Sequence, residues 1–60
     1  MMYYEAHIDG EGSRFFESEK HMNEDEIIEH VKNNKMTAQW GAIDWAQQIN
    51  KQEYNEGRLQ

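Results

Sequence analysis

Two glutamates separated by a single serine, Glu17 and Glu19, form the sharpest chemical feature of this chain. Alternate residues of a β-strand point to one face about 6–7 Å apart, so these carboxylates would stand in a row. Phe15 precedes them in the same parity, and Tyr3 with Glu5 repeats the alternation of aromatic and acid earlier on. A row of carboxylates at this spacing can imitate a phosphate backbone, and exposed rings beside it supply the apolar anchors of an interface. The expected chemistry is recognition of a cationic surface.

Other chemistries find less support. His7, His21 and His30 lack the spacing of a helical zinc pair, and no cysteine is present to complete a thiolate site or form a disulfide. No metal and no cofactor are expected. Asp9-x-Glu11-x-Ser13 has the opening of a calcium loop but not its glycine at the sixth place or its glutamate at the twelfth, and it reads as a turn. Ser13 and Ser18 lie in no nucleophile elbow, and 60 residues leave little room for a water-excluding pocket. The chain is expected not to be an enzyme. Direct nucleic-acid binding needs lysines and arginines to neutralise phosphates. The six here are scattered, with only Lys32 and Lys35 approaching a patch.

Charge is divided by position. Residues 1–29 hold nine of the twelve acids and only Arg14 and Lys20 as bases, a balance of −7. Residues 30–60 carry a balance of +1. Such a half steers toward basic partners and repels nucleic acid.

The positioning elements can be read from periodicity. Met2, Tyr4, Ala6 and Ile8 alternate with Tyr3, Glu5 and His7, which predicts a half-buried strand. Asp9-Gly10-Glu11-Gly12 is a turn, and 14–20 a returning strand. With Gly10-Glu11-Gly12 as the loop, Ile8 faces Arg14, Ala6 faces Phe16 and Glu5 faces Glu17. That register gathers Met2, Tyr4, Ala6, Ile8 and Phe16 on one face. Tyr3, Glu5, His7, Phe15, Glu17 and Glu19 fall on the other. Like charges placed opposite one another cost a few tenths to about 1 kcal/mol, a cost that binding a basic surface would offset.

A first helix is predicted over 23–34. Asn23 is its N-cap, Glu26 completes a capping box, Met22 and Ile27 form a staple, and Asn33-Asn34 end it. A second is predicted over 37–54, capped by Thr37. Ala38, Ala42, Trp45, Ala46 and Ile49 recur there at helical spacing, and Trp40 sits at the margin. Gly57 marks the end, and 55–60 fray.

The expected fold is α+β: a single domain over 1–60, with an N-terminal two-stranded antiparallel β-hairpin (1–21) followed by two α-helices. Its core would be Met2, Tyr4, Ala6, Ile8, Phe16, Ile27, Ile28, Val31, Ala42, Trp45, Ala46 and Ile49. Two open sheet edges would remain for a dimer mate or a target. A chain this short buries only about 60% of its unfolded surface, which favours a homodimer.

In kind, the surface resembles the small acidic DNA-mimic proteins that bacteriophages make against host enzymes. Size, charge and exposed acids carry that likeness, and no motif does. The resulting expectation is an inhibitor or modulator binding the basic site of a nucleic-acid-binding enzyme or transcription factor. Tyr3, Glu5, Phe15, Glu17, Glu19 and Trp40 would make the partner contacts. The alternatives are a homodimeric structural or assembly subunit, or an antitoxin-like partner acting through its helices and Trp40. The chain shows neither a signal peptide nor a membrane-length apolar run, so a soluble, cytoplasmic protein is expected, in a host's cytoplasm if phage-encoded.

Overall fold

The computed structural model describes residues 1–36 and 43–59. Strands β1 (Met2–Ile8) and β2 (Gly12–Ser18) are followed by α1 (Glu24–Asn33), β3 (Ile43–Ile49) and α2 (Lys51–Arg58). The strands form one antiparallel sheet in the order β2-β1-β3. The expected two strands followed by two helices are therefore corrected to a three-stranded sheet with two helices. Ile43–Ile49 lies within the span predicted as helix 37–54 but is a strand, and the second helix is shorter and starts later. Thr37, Ala38, Trp40 and Ala42 lie outside the described residues.

The hairpin forms because Asp9-Gly10-Glu11 closes a tight loop. Glu11 N donates to Ile8 O at 3.0 Å, and Gly10 takes φ +83° at the third turn position, where a side chain would be strained. The loop sits one residue earlier than expected. Each β1 residue therefore meets a partner two positions earlier: Tyr4 opposes Phe16, Glu5 opposes Phe15 and Tyr3 opposes Glu17. Glu5 does not face Glu17, and the repulsion inferred from that pairing is absent. A two-residue shift leaves every side chain on its expected face.

The face formed by Tyr4, Ala6, Ile8, Phe16 and Ala46 packs with Ile27 and Val31 of α1 into the main core. Met2, Met22, Ile28, Met36 and Ile43 close its margin. Tyr4 is fully buried, and its hydroxyl is satisfied: it accepts from Met22 N at 2.9 Å and donates to Lys20 O at 3.1 Å. This phenol ties the segment between β2 and α1 to the central strand.

Helix α1 starts as predicted. Asn23 Oδ1 accepts from Glu26 N, and Glu26 Oε1 accepts from Asn23 N. The backbone N–H of Asn23, then Lys20, holds the Glu26 carboxyl below its ordinary pKa. The resulting stabilisation is whole above the ordinary glutamate range and is lost as pH falls through the lowered folded value. The helix ends differently from expectation. Asn34 keeps φ −96°, and Lys35 takes the left-handed conformation at φ +54°. Met36 N donates to Val31 O and Lys35 N to Lys32 O, the paired bonds of a Schellman ending.

Helix α2 has its own capping box, in which Asn50 Oδ1 accepts from Glu53 N and Glu53 Oε1 accepts from Asn50 N. It lies on the opposite face of the sheet. Tyr54 is buried there with its ring 4.8 Å from that of Tyr3, and Arg58 stands 5.2 Å above the Tyr54 ring. Gly57 rests directly on the Phe15 ring, leaving no room for a Cβ. The sheet is thus clad by α1 on one side and α2 on the other. Trp45, expected in the core, pairs with His7 across β1–β3 and is 39% exposed. Tyr54 joins the buried set instead. Among the described residues no helix is long and apolar enough to cross a membrane.

Candidate protein-binding surface

The expected contact residues divide according to what α2 does. Tyr3 and Phe15 are half-buried, the first against Tyr54 and the second beneath Gly57. Their rings serve the fold first. Glu5, also half-buried, lies between them on the same face, opposite Phe15, and accepts from Gln47 Nε2 at 3.4 Å. Glu17 near the end of β2 and Glu19 just past it are exposed. Trp40 lies outside the described residues.

The chain's bases decide which carboxylates remain available. Arg14 is held at several points. Its Nη2 pairs with Glu11 Oε1 at 3.1 Å, its Nε donates to Met36 O at 2.8 Å, and Nη1 donates to the carbonyls of Glu11 and Ser13. Lys20 Nζ pairs with Glu26 Oε2 at 3.3 Å. Each base of residues 1–29 thus matches one acid. Glu5, Asp9, Glu17, Glu19, Glu24, Asp25 and Glu29 have no ion pair among the described residues, and all but Glu5 are exposed. The Lys20–Glu26 bridge draws the end of the hairpin to the first turn of α1. Glu19 therefore neighbours one partner of that bridge in sequence, and Asp25 the other.

A second cluster went unforeseen. His7 Nδ1 lies 3.1 Å from Asp44 Oδ2 across β1–β3, and the His7 ring stacks on Trp45 at 5.4 Å with the planes 8° apart. Asp44 is the extra residue of an irregularity between the pairs His7–Trp45 and Ile8–Ile43, the kind of bulge that re-aims a side chain. Beside it, at the end of α2, opens a cleft of about 450 Å³ lined by Glu5, His7, Ser13, Phe15 and Gly57 among others. The only signal for this cluster in the sequence was the alternation of Ile43, Trp45, Gln47 and Ile49. The stronger helical spacing of the same stretch concealed it.

The other histidines lie elsewhere. His21 is exposed between β2 and α1, and His30 stacks on Phe16 at 4.0 Å. Among the described residues no group of three His, Cys, Asp or Glu side chains converges as a metal site would require. No protein-family model matches this chain, and neither curated proteins nor solved structures provide a match.

Proposed function

We propose that this chain is an acidic, non-enzymatic modulator that occupies a basic site on another protein, in the manner of a nucleic-acid mimic. The observation that supports the reading is the pairing of both N-terminal bases. Arg14 and Lys20 are taken up by Glu11 and Glu26, so the charge of −7 in residues 1–29 is concentrated on carboxylates that form no ion pair among the described residues. Exposed carboxylates retain their charge and their reach toward a partner.

Under this reading Glu17 and Glu19 make the central charge contacts, with Glu24 and Asp25 extending them around the start of α1. Glu5 contributes from the sheet face. Tyr3 and Phe15 are half-buried against α2, so recognition is more electrostatic than anchored. The basic target belongs to a nucleic-acid-binding enzyme or transcription factor, and the meeting place is the cytoplasm, a host's if the chain is phage-encoded.

The test is affinity capture from lysate with immobilised protein at low and high ionic strength. A captured set that is rich in nucleic-acid-binding proteins, released by salt, and lost with the double variant Glu17→Lys/Glu19→Lys is the expected result. Capture that neither salt nor the double variant alters would refute the reading.

A further inference from the structure

We propose that the outer edge of β3 is a self-association edge, along which a second copy of this chain adds its own β3 antiparallel about Ala46 to make one continuous sheet. The inference does not depend on the acidic surface described above.

β1 is the central strand, so β2 and β3 each present an edge that no other strand pairs among the described residues. Soluble proteins blunt such edges with charges, prolines or bulges. β2 follows that rule, carrying Arg14 and Glu17 and beginning at Gly12 with φ +89°. β3 does not. Trp45-Ala46-Gln47-Gln48-Ile49 contains no charge, no proline and no glycine, in a chain whose residues are 30% charged. The one charge in the strand, Asp44, is directed along the sheet toward His7 on β1. Trp45, Gln47 and Gln48 are exposed.

Symmetry selects the occupant. A two-fold axis normal to the sheet makes one residue oppose its own copy, and Ala46 is the midpoint of Ile43–Ile49. Centring there gives the longest overlap. Trp45 then opposes Gln47 of the second copy, and Asp44 opposes Gln48, whose amide can donate to Oδ1 while Oδ2 stays on His7. Ile43 opposes Ile49. No like charges meet, and Ala46 places two small side chains at the axis. Centring on Asp44 instead would oppose two carboxylates, a destabilising cross-strand pair. Two chains of net charge −6 repel each other, so the stretch without charge is where they can approach most closely. A chain of this length also gains from added burial.

Sedimentation equilibrium over a wide protein concentration range tests the edge, with substitutions at Gln48 to test the register. The wild-type protein is expected to shift from one chain mass toward two as concentration rises. Gln48→Lys, set opposite Asp44 twice by symmetry, should tighten the dimer about fivefold, and Gln48→Glu should weaken it about fivefold. Asn55→Lys and Asn55→Glu, at an exposed position of α2, make the same changes in net charge away from the edge and should move the constant much less. A protein that stays monomeric throughout overturns the proposal, and so do Gln48 variants that behave like their Asn55 counterparts. A dimer in which the Gln48 variants move in opposite directions, well beyond their controls, supports it.

Discussion

At the scale of single residues, the fold tolerates one local conflict. Lys35 occupies the left-handed conformation at φ +54° so that the last carbonyls of α1 can be closed by Met36 N and Lys35 N. A residue with a Cβ pays roughly 1 kcal/mol for that conformation, and glycine is the usual occupant. Lys35→Gly is expected to stabilise the protein by about 0.5–1 kcal/mol, because relief of strain outweighs the extra freedom glycine has when unfolded. In a domain this small the midpoint of thermal unfolding should rise by a few degrees. Lys35→Ala, which removes the same charge and keeps the Cβ, is the control and should give no such rise. Equal gains from both would show that charge, not backbone strain, was relieved. The ending was only half legible in the sequence. Asn33-Asn34 correctly marked where the helix stops, but asparagine's tolerance of the left-handed region drew attention away from the lysine that adopts it.

At the scale of elements, the two capping boxes show why one helix was legible and the other was not. Asn23 and Glu26 stood before an apolar stripe, and α1 was readable from them. Asn50 and Glu53 form the same device, but they lay inside a span already assigned to a helix. β3 was concealed by its own burial. Ala46 is covered with the α1 core, while Ile49, three residues on and so of opposite parity, faces α2 with Tyr3. A strand clad on both faces has no need to alternate, and buried positions three apart imitate a helical face. The candidate surface was legible as far as its parity, since a two-residue register error preserves faces. The covering of Tyr3 and Phe15 was not, because it depends on a helix carrying a single buried residue, Tyr54.

That helix seats Gly57 against Phe15, and a double-mutant cycle can measure the seat. In an exposed helix Gly→Ala gains about 1 kcal/mol. Here a methyl group would meet the Phe15 ring, so Gly57→Ala alone is expected to destabilise. In a Phe15→Ala background, with the ring removed, the same substitution should stabilise by about the propensity difference. Urea unfolding of the four proteins gives the coupling. Additive effects would mean that α2 does not rest on Phe15.

At the scale of the whole molecule, added salt should favour two equilibria and disfavour a third, all of which share the same charges. The folded chain gathers a net charge of −6 into a body with a radius of gyration of 10.6 Å. The body measures 26 × 24 × 16 Å, so its unpaired carboxylates are at most a few Debye lengths apart at 0.1 M ionic strength, where that length is about 10 Å. Screening relieves their repulsion, which is stronger in the compact state than in the expanded one, while the ion pairs lost in exchange are the exposed or half-exposed Arg14–Glu11 and Lys20–Glu26, which contribute little when so open to solvent. Raising sodium chloride from about 0.02 M to about 0.5 M should thus raise the thermal midpoint. It should also strengthen pairing between two copies, since like-charged bodies are then brought together at less cost. A complex with a basic target should weaken over the same range. A thermal midpoint that falls with salt would mean that the internal ion pairs outweigh the repulsion, and the carboxylates left over would then be too few or too dispersed to act together on a cationic surface.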